Sequence, residues 1–547
     1  MANFATLNPL EPMGGSQTYS EGNLVVATDA AARSGGNSSL DVSSGKWYAE
    51  FTVVATSGEA AVGVSKDRTE TTAQGDSYCA GQSSGKGGVG YKENGKKFVS
   101  GSSSAYGATY TTGDVIGVAL NVDDDEVTFY KNGASQGALS ITSGSTWHFN
   151  VGEHSNGTTG TWRCNFGQFP WRYDPPSGFV ALSTENLAEP AISNLAAQKP
   201  EDHFGILTWS GNDTGTTRTI ADGESGITGT VNFTPDFIWV KARTGVYSHV
   251  LYDTVRGLGA NKEFLSDAAS IEGGSNPDTY GYASSMTQGG LITTAGSNGA
   301  AQNLYFNNSG DTYVAWCWKA GGAAVENTDG SLTTQVSANT DAGFSIITYT
   351  GAGSGVSTIG HGLNQAPEFW VTKPRTTVSD DQWFACHVGI ASDYYNNWLH
   401  WDNNSSAQST SARWGGVAPT NSVISIGSNS TNKSGNYVCY AWHSVEGFSK
   451  FGSYTGNGSN DGPFVYVGFR PAYVMIKETS GTGSWLIVDA ARDPYNESLT
   501  GKHIQADSAN TEQTAAARSP TFGIDYLSNG FKLRGSHDEN NEAGQNY

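Results

Sequence analysis

One strand pattern recurs along this chain and limits what the chain can fold into. "SGDTYVAWCWKAGG" (Ser309–Gly322) and "SGNYVCYAWHSVEGFS" (Ser434–Ser449) both set Ser-Gly before a Tyr, then alternate small and aromatic residues. The final residues "NEAGQNY" arrive at Tyr547 at the same point of a third copy. Earlier signposts also come in threes. The copies open on "FGILTWSG" (Phe204), "FSIITYTG" (Phe344) and "FSKFGSYTG" (Phe448), and continue with "PDFIWVK", "PEFWVTK" and "PAYVMIK". Next come "SHVLYDTVRG", "QWFACHVGIA" and "SWLIVDAARD", then "KEFLSDAAS", "NWLHWDNNS" and "KHIQADSAN". A unit of roughly 100 residues exceeds the usual solenoid and propeller periods, so each copy is expected to be a β domain with its own core.

Alternation fixes the faces of the closing strand. Successive strand side chains point to opposite sides, so Ala315, Cys317, Cys439 and Ala441 share one face as interchangeable small core residues, and the aromatics take the other. Such a strand is buried on both faces and central in its sheet. The third copy reaches Tyr547 without this strand. The expectation is that the natural chain continues past Tyr547 with an apolar strand, or that another chain donates one.

Composition narrows the class. With 547 residues several domains are expected. The net charge of −21, with 30 basic against 51 acidic residues, and the absence of Lys/Arg clusters argue against nucleic-acid or anionic-membrane partners. No 18-residue apolar span predicts membrane insertion, and "MANFATLNPLEPMGG" lacks the basic and apolar regions of a secretory signal. Gly, Ser, Thr and Asn between short apolar runs predict an all-β chain.

Residues 1–175 read as hairpins. "GKWYAEFTVV" alternates, "GVGYKENGKKFVSG" holds Asn94-Gly95 between two strand-like runs, a type I′ signal, and "GDVIGVALNVDDDEVTFYKNGASQG" (Gly113–Gly137) has an acidic turn and a second Asn-Gly at Asn132-Gly133. The order "GKWYAEF", "AAVGVSKD", "GDVIGVALNVDDDEVTFYKNG", "NFGQFPW" resembles a SPRY domain over roughly residues 20–170. That resemblance implies a bent antiparallel β-sandwich whose loops bind a protein or peptide partner. Asp123-Asp124-Asp125-Glu126 lacks the spaced oxygen ligands of a calcium loop and reads as a solvated turn. The predicted organisation is a SPRY-like sandwich (1–175), a linker with Pro176, Pro190 and Pro200 (176–203), and three β-sandwich repeats (204–322, 323–445 and 446–547).

The SPRY-like domain, the "YDPPSGF" connector and the "FTPDFIWVKAR" units together resemble virion proteins of tailed bacteriophages, most of all tail-fibre or adhesin proteins of phages infecting marine bacteria. This implies a structural and binding protein of the phage tail, assembled in the host cytoplasm. It would be fixed to other virion proteins through its N-terminal domain, contact a host-surface glycan or protein, and oligomerise, with a trimer favoured. The alternatives are a capsid-decorating or horn-like protein and an envelope polysaccharide depolymerase.

The residues suggest no chemistry. No carboxylate pair stands out from the turn-forming Asp and Glu, the Gly-x-Ser-x-Gly elbow is missing, and Cys386-His387, adjacent in a strand, point to opposite faces and cannot ligate together. The expectation is a non-enzyme without cofactor or metal. Candidate receptor contacts lie in the aromatic, polar segment "SDYYNNWLHWDNNSS": Asp393, Tyr394, Tyr395, Trp398, Trp401, Asp402 and Asn403, followed by Trp414. Aromatic rings there could stack on sugar faces while Asn and Asp take hydroxyls.

Overall fold

In a computed structural model, residues 3–11, 13–14, 16–30, 33–66, 88–154, 157–274, 279–428, 430–496, 502–514 and 522–547 are described. They are almost wholly strand and turn, and fall into two compact units, Met1–Ala188 and Glu189–Tyr547. No helix among them is long and apolar enough to cross a membrane.

The first unit is a sandwich of two antiparallel sheets. In one, β1 (Lys46–Thr56) lies between β5 (Val115–Asn121) and β9 (Gly160–Asn165), and β6 (Glu126–Lys131) and β7 (Ala134–Ser140) extend it beyond β5. The other is built around β2 (Ala60–Ser65), β3 (Val89–Lys92), β4 (Lys96–Val99) and β8 (His148–Glu153). Both inner faces close one core, with Trp47, Phe51, Phe129, Trp147, Phe149 and Trp162 buried in it.

Turn chemistry follows the dipeptides in part. Asn132 and Gly133 both take positive φ, 48° and 80°, as a type I′ turn requires. At Asn94-Gly95 only Gly95 does, at 79°. β3 and β4 are separated by Glu93, Asn94 and Gly95, and a three-residue loop needs just one left-handed residue at its end. The acidic run serves the turn: Gly45 N donates to Asp123 Oδ1 (2.6 Å), and Lys46 Nζ and Asn121 Nδ2 reach Asp124 Oδ2 (2.9 and 2.7 Å).

The predicted linker 176–203 is divided between the two units. Val180–Ala181 pairs in parallel with β1, and Leu182 is buried in the sandwich core. In the second unit Ile192 bridges to Gln198 and is buried.

Each repeat centres on one sheet. In repeat 1, β10 (Phe204–Ser210) and β11 (Phe237–Ala242) flank the closing strand β14 (Thr312–Trp318), and β12 (Val250–Asp253) and β13 (Phe264–Leu265) follow outward from β11. Repeat 2 repeats this order with β15 (Phe344–Thr350), β19 (Asn436–Trp442), β16 (Phe369–Pro374), β17 (Phe384–His387) and β18 (Asn397–His400). The registers coincide: Phe204 and Phe237 oppose Trp318 as Phe344 and Phe369 oppose Trp442. Repeat 3 supplies β20 (Tyr473–Ile476), β21 (Leu486–Asp489) and β22 (Lys502–Gln505). Among the described residues β20 pairs only with β21. Tyr547 nevertheless occupies its register position, exchanging backbone hydrogen bonds with Tyr454 (3.1 and 2.9 Å) and stacking on its ring at 5.1 Å. The sister pairs Trp209–Tyr313 and Tyr349–Tyr437 stack at 5.4 and 4.9 Å.

The three repeats are not independent domains. The small-residue face of each closing strand turns to a core private to its repeat, with Ala315 and Cys317 in one and Cys439 and Ala441 in another. The aromatic faces meet in a single core shared by all three. Trp239 and Trp316 of repeat 1, Trp383, Trp401 and Tyr440 of repeat 2, and Trp485 and Ile487 of repeat 3 are buried there. Sequence alternation dictates two buried faces per strand; the second is satisfied only by the sister repeats.

Candidate functional site

The contacts between repeats close into a ring. Aligned on their strands, His249, Trp383 and Trp485 occupy one position, and Leu265, His400 and Gln505 another. Trp383 Nε1 donates to Leu265 O (2.8 Å), Trp485 Nε1 to His400 O (2.8 Å), and His249 Nε2 meets Gln505 O (2.9 Å). With Trp239 Nε1 donating to His249 Nδ1 (2.8 Å), Nε2 carries the proton. Repeat 2 thus holds repeat 1, repeat 3 holds repeat 2, and repeat 1 holds repeat 3.

A buried Lys–Asp pairing recurs in each repeat. Lys241, Lys373 and Lys477 are each pulled down to about 8 by burial. Their ammonium groups donate to backbone carbonyls, among them Gly245 O (3.2 Å), Ala268 O (3.2 Å) and Glu478 O (2.7 Å). The carboxylates facing them, Asp267, Asp402 and Asp507, are all raised by burial, the last two to about 6. These pairings serve the architecture of each repeat, and Asp402 and Asp507 also border a cleft between repeats 2 and 3; a departure from the threefold pattern marks a special place.

That departure lies between repeats 2 and 3. At the interface of repeats 1 and 3, Glu512 binds Arg243 through two hydrogen bonds (both 2.9 Å) and Arg492 through one (3.1 Å). Arg492 in turn holds Asp489 (2.6 Å). At that of repeats 2 and 1, Glu272 binds Arg375 and Arg256 (both 3.0 Å), and Arg256 holds Asp253. At the third interface the corresponding residues are Ala407, Thr479, Ile390 and His387. The backbone contact survives, Ala407 N to Thr479 O at 2.9 Å, without any of the charges.

This unclamped interface carries a shallow, largely open polar cleft of about 420 Å³. Asp402, Asn403 and Asn404 line it from repeat 2, and Ser484, Gln505, Asp507, Ser508, Asn510 and Glu539 from repeat 3. Its walls are braced from within. Asp507 Oδ1 accepts Trp485 N (3.1 Å), Glu539 Oε1 accepts Ser484 N (3.1 Å), Gln505 Nε2 donates to Ser484 Oγ (2.9 Å), and Asn510 Nδ2 donates to Gln505 Oε1 (3.1 Å). The Asp402 side chain is 2% exposed. Its Oδ2 accepts Trp383 N (3.2 Å), and its Oδ1 has no hydrogen-bond partner. Carboxylates, amides and hydroxyls gathered on this open surface can offer the hydrogen-bonding capacity they do not spend on one another to a polyhydroxylated ligand.

The structure divides the eight candidates named from sequence. Asp402 and Asn403 line the cleft. Trp401 and Trp414 are 1% and 0% exposed and Trp398 9%, so these three are core residues and not receptor contacts. Trp401 packs edge-on against Trp239 and Trp383 at the shared centre, and Trp398 lies under the Arg413 guanidinium. Tyr394, half-buried, packs edge-on to Trp370 and Tyr395. Asp393 is exposed and its carboxylate accepts from Asn397 Nδ2 (3.2 Å). None of these six lines the cleft. Repeat 3's share of the lining escaped a search for aromatics because it contains none; the signal was the loss of Arg and Glu at positions 479 and 407 when the copies are aligned.

Two family models match the chain. The first 188 residues hold a SPRY domain, matched over residues 46–142. The larger match, residues 199–547, is to a domain of unknown function, DUF7483; the chain belongs to that family. Among solved structures, the SPRY domain of human HERC1 shares 17% identity, covering 30% of this chain and 99% of that one at a TM-score of 0.26. A human SPRY domain shares 20%, covering 28% and 97% at 0.23, and the stonustoxin structure 15%, covering 30% and 27% at 0.24. No curated protein matches.

Proposed function

We propose that this protein is a structural and binding component of a tailed-phage virion, a tail-fibre subunit or adhesin that recognises a host-surface glycan. The observation that carries the glycan reading is the polar cleft at the interface of the ring where the described residues form no ion-pair clamp. A ring of three copies needs no such opening for its stability, and the lining offers amide, hydroxyl and carboxylate groups suited to sugar hydroxyls. The SPRY domain fits the role of attachment module, holding another virion protein with its loops, and several copies on one particle multiply weak contacts. The test is a glycan array probed with the full chain and with Asp507→Asn. Binding to envelope-type oligosaccharides that falls at least about tenfold in the variant supports the reading; no binding, or binding indifferent to the substitution, defeats it. Immunogold imaging on virions reports the tail location separately.

One observation favours a second reading, the polysaccharide depolymerase. Asp402 and Asp507, both raised to about 6 by burial, hold their protons closer to neutral pH, as a general acid must. Release of reducing ends from host envelope, abolished by Asp507→Asn, would replace simple binding with hydrolysis.

A further inference from the structure

We infer that repeat 3 carries an acceptor groove for an extended apolar segment of a partner polypeptide, which adds as a strand between residues 450–454 and β20. The inference is independent of the glycan reading.

The sister repeats show what this frame holds. In repeat 1 the closing strand β14 lies between β10 and β11, and in repeat 2 β19 lies between β15 and β16. In repeat 3 the corresponding walls are residues 450–454 and β20, and Asn546 and Tyr547 enter between them. Thr479 N donates to Asn546 O (2.9 Å), and Tyr454 and Tyr547 exchange backbone bonds, so at that end the walls stand one strand's width apart. Farther along, the groove is open. Aligned on Trp209 and Tyr454, the buried Ile206 and Leu207 of repeat 1 correspond to a half-buried Phe451 and an exposed Gly452. No atom lies within 4 Å of a Cβ placed on Gly452. On the other wall Phe237 and Trp239 are buried, whereas their counterparts Tyr473 and Met475 are half-buried.

The backbone of β20 points the same way. Ala490 N donates to Ala472 O (2.9 Å), which turns Val474 and Ile476 towards β21 and, by alternation, Tyr473 and Met475 towards the groove. Among the described residues no backbone group pairs with the N–H or C=O of Tyr473 or Met475. An unpaired strand edge above apolar side chains is a template for one more strand.

Register sets the chemistry of that strand. It lies antiparallel to both walls, in line with Asn546 and Tyr547. Its small side chains face the private core of Val474, Ile476 and Tyr547, as Ala315 and Cys317 face theirs, and its aromatic side chains join the shared core, as Trp316 does. The two segments of this chain with that alternation, β14 and β19, are built into their own repeats, which assigns the added segment to a partner polypeptide.

Isothermal titration of the full chain with two synthetic peptides tests this. One is residues 313–320 of this chain carrying Cys317→Ser; the other has the same composition with its small and aromatic positions exchanged. The first should bind at least about tenfold tighter, because the exchange puts every side chain on the wrong face. Amide exchange should slow at 450–453 and 473–477. In repeat 1 Ala315 pairs with Leu207 and Trp316 with Trp239, so N-methylation of either residue in the peptide should weaken binding severalfold. Gly452→Pro, checked for unchanged melting, should do the same from the protein side. No binding, equal binding of the two peptides, indifference to N-methylation, or protection elsewhere overturns the inference. So does an intact mass and exchange profile of the protein from its natural source showing the groove filled by residues of its own chain.

Discussion

Two interfaces of the ring are locked by charge and the third is open. Arg243–Glu512–Arg492 and Arg375–Glu272–Arg256 each bury an acidic residue between two guanidinium groups. Ala407, Thr479 and Ile390 take those places between repeats 2 and 3. The tryptophan-to-carbonyl bond is retained there, Trp485 to His400, so the opening is not a failure of the fold. The same backbone frame can be sealed or left accessible by changing three side chains. Where it is left accessible, the polar groups of two repeats face one another across a cleft.

The largest effect should come from the part common to all three interfaces. Trp401→Ala removes an indole lodged between Trp239 and Trp383, and should cost about 3–5 kcal/mol. Chemical denaturation should then show Glu189–Tyr547 losing stability as a whole. Destabilisation confined to repeat 2 would break the claim of a shared core. Next, Glu512→Ala leaves Arg243 and Arg492 facing each other partly buried and should cost about 3 kcal/mol. The same measurement on Ala407→Gly, at the open interface, should show under about 1 kcal/mol.

The carboxylates sharpen the comparison through pH. Asp402 and Asp507 titrate near 6 in the folded protein, raised by burial, against about 4 when unfolded. The stability they contribute is complete below about pH 4 and is lost as pH rises through 6. Melting curves of Asp507→Asn should lack about 3 kcal/mol of that loss. An unaltered pH profile would show that this carboxyl is solvated. The smallest effect belongs to Asp393→Ala, an exposed turn residue outside the cleft, which should change both stability and ligand affinity by less than about 0.5 kcal/mol.

Much of this architecture was legible in the residues. The aligned closing strands gave the correct faces for Cys317, Cys439 and their Ala neighbours, because strand alternation is a local property. The Gly113–Gly137 hairpin announced the SPRY sandwich for the same reason. What covers the aromatic face is not local. Trp316, Trp383 and Trp485 lie far apart in the chain, and alternation says that each is buried without saying that all are buried together. The aromatic segment 393–414 misled for a related reason. Its tryptophans are dense because they fill two cores, and only Asp402 and Asn403 emerge on the wall of the cleft. The open interface with Gln505 on its wall could be found only by asking where one copy departs from the other two, at Ala407 and Ile390 in the second and Thr479 in the third; Asp507 matches Asp267 and Asp402 and carried no such signal.

The most direct test of the open interface as the functional site is hydrogen–deuterium exchange on the full chain, with and without the tightest-binding oligosaccharide of the glycan array. Protection should rise at residues 402–404, 484–485 and 505–510, and stay unchanged around Glu272, Arg375 and Arg243. Protection appearing at the clamped interfaces, or only in the SPRY sandwich, would contradict the account.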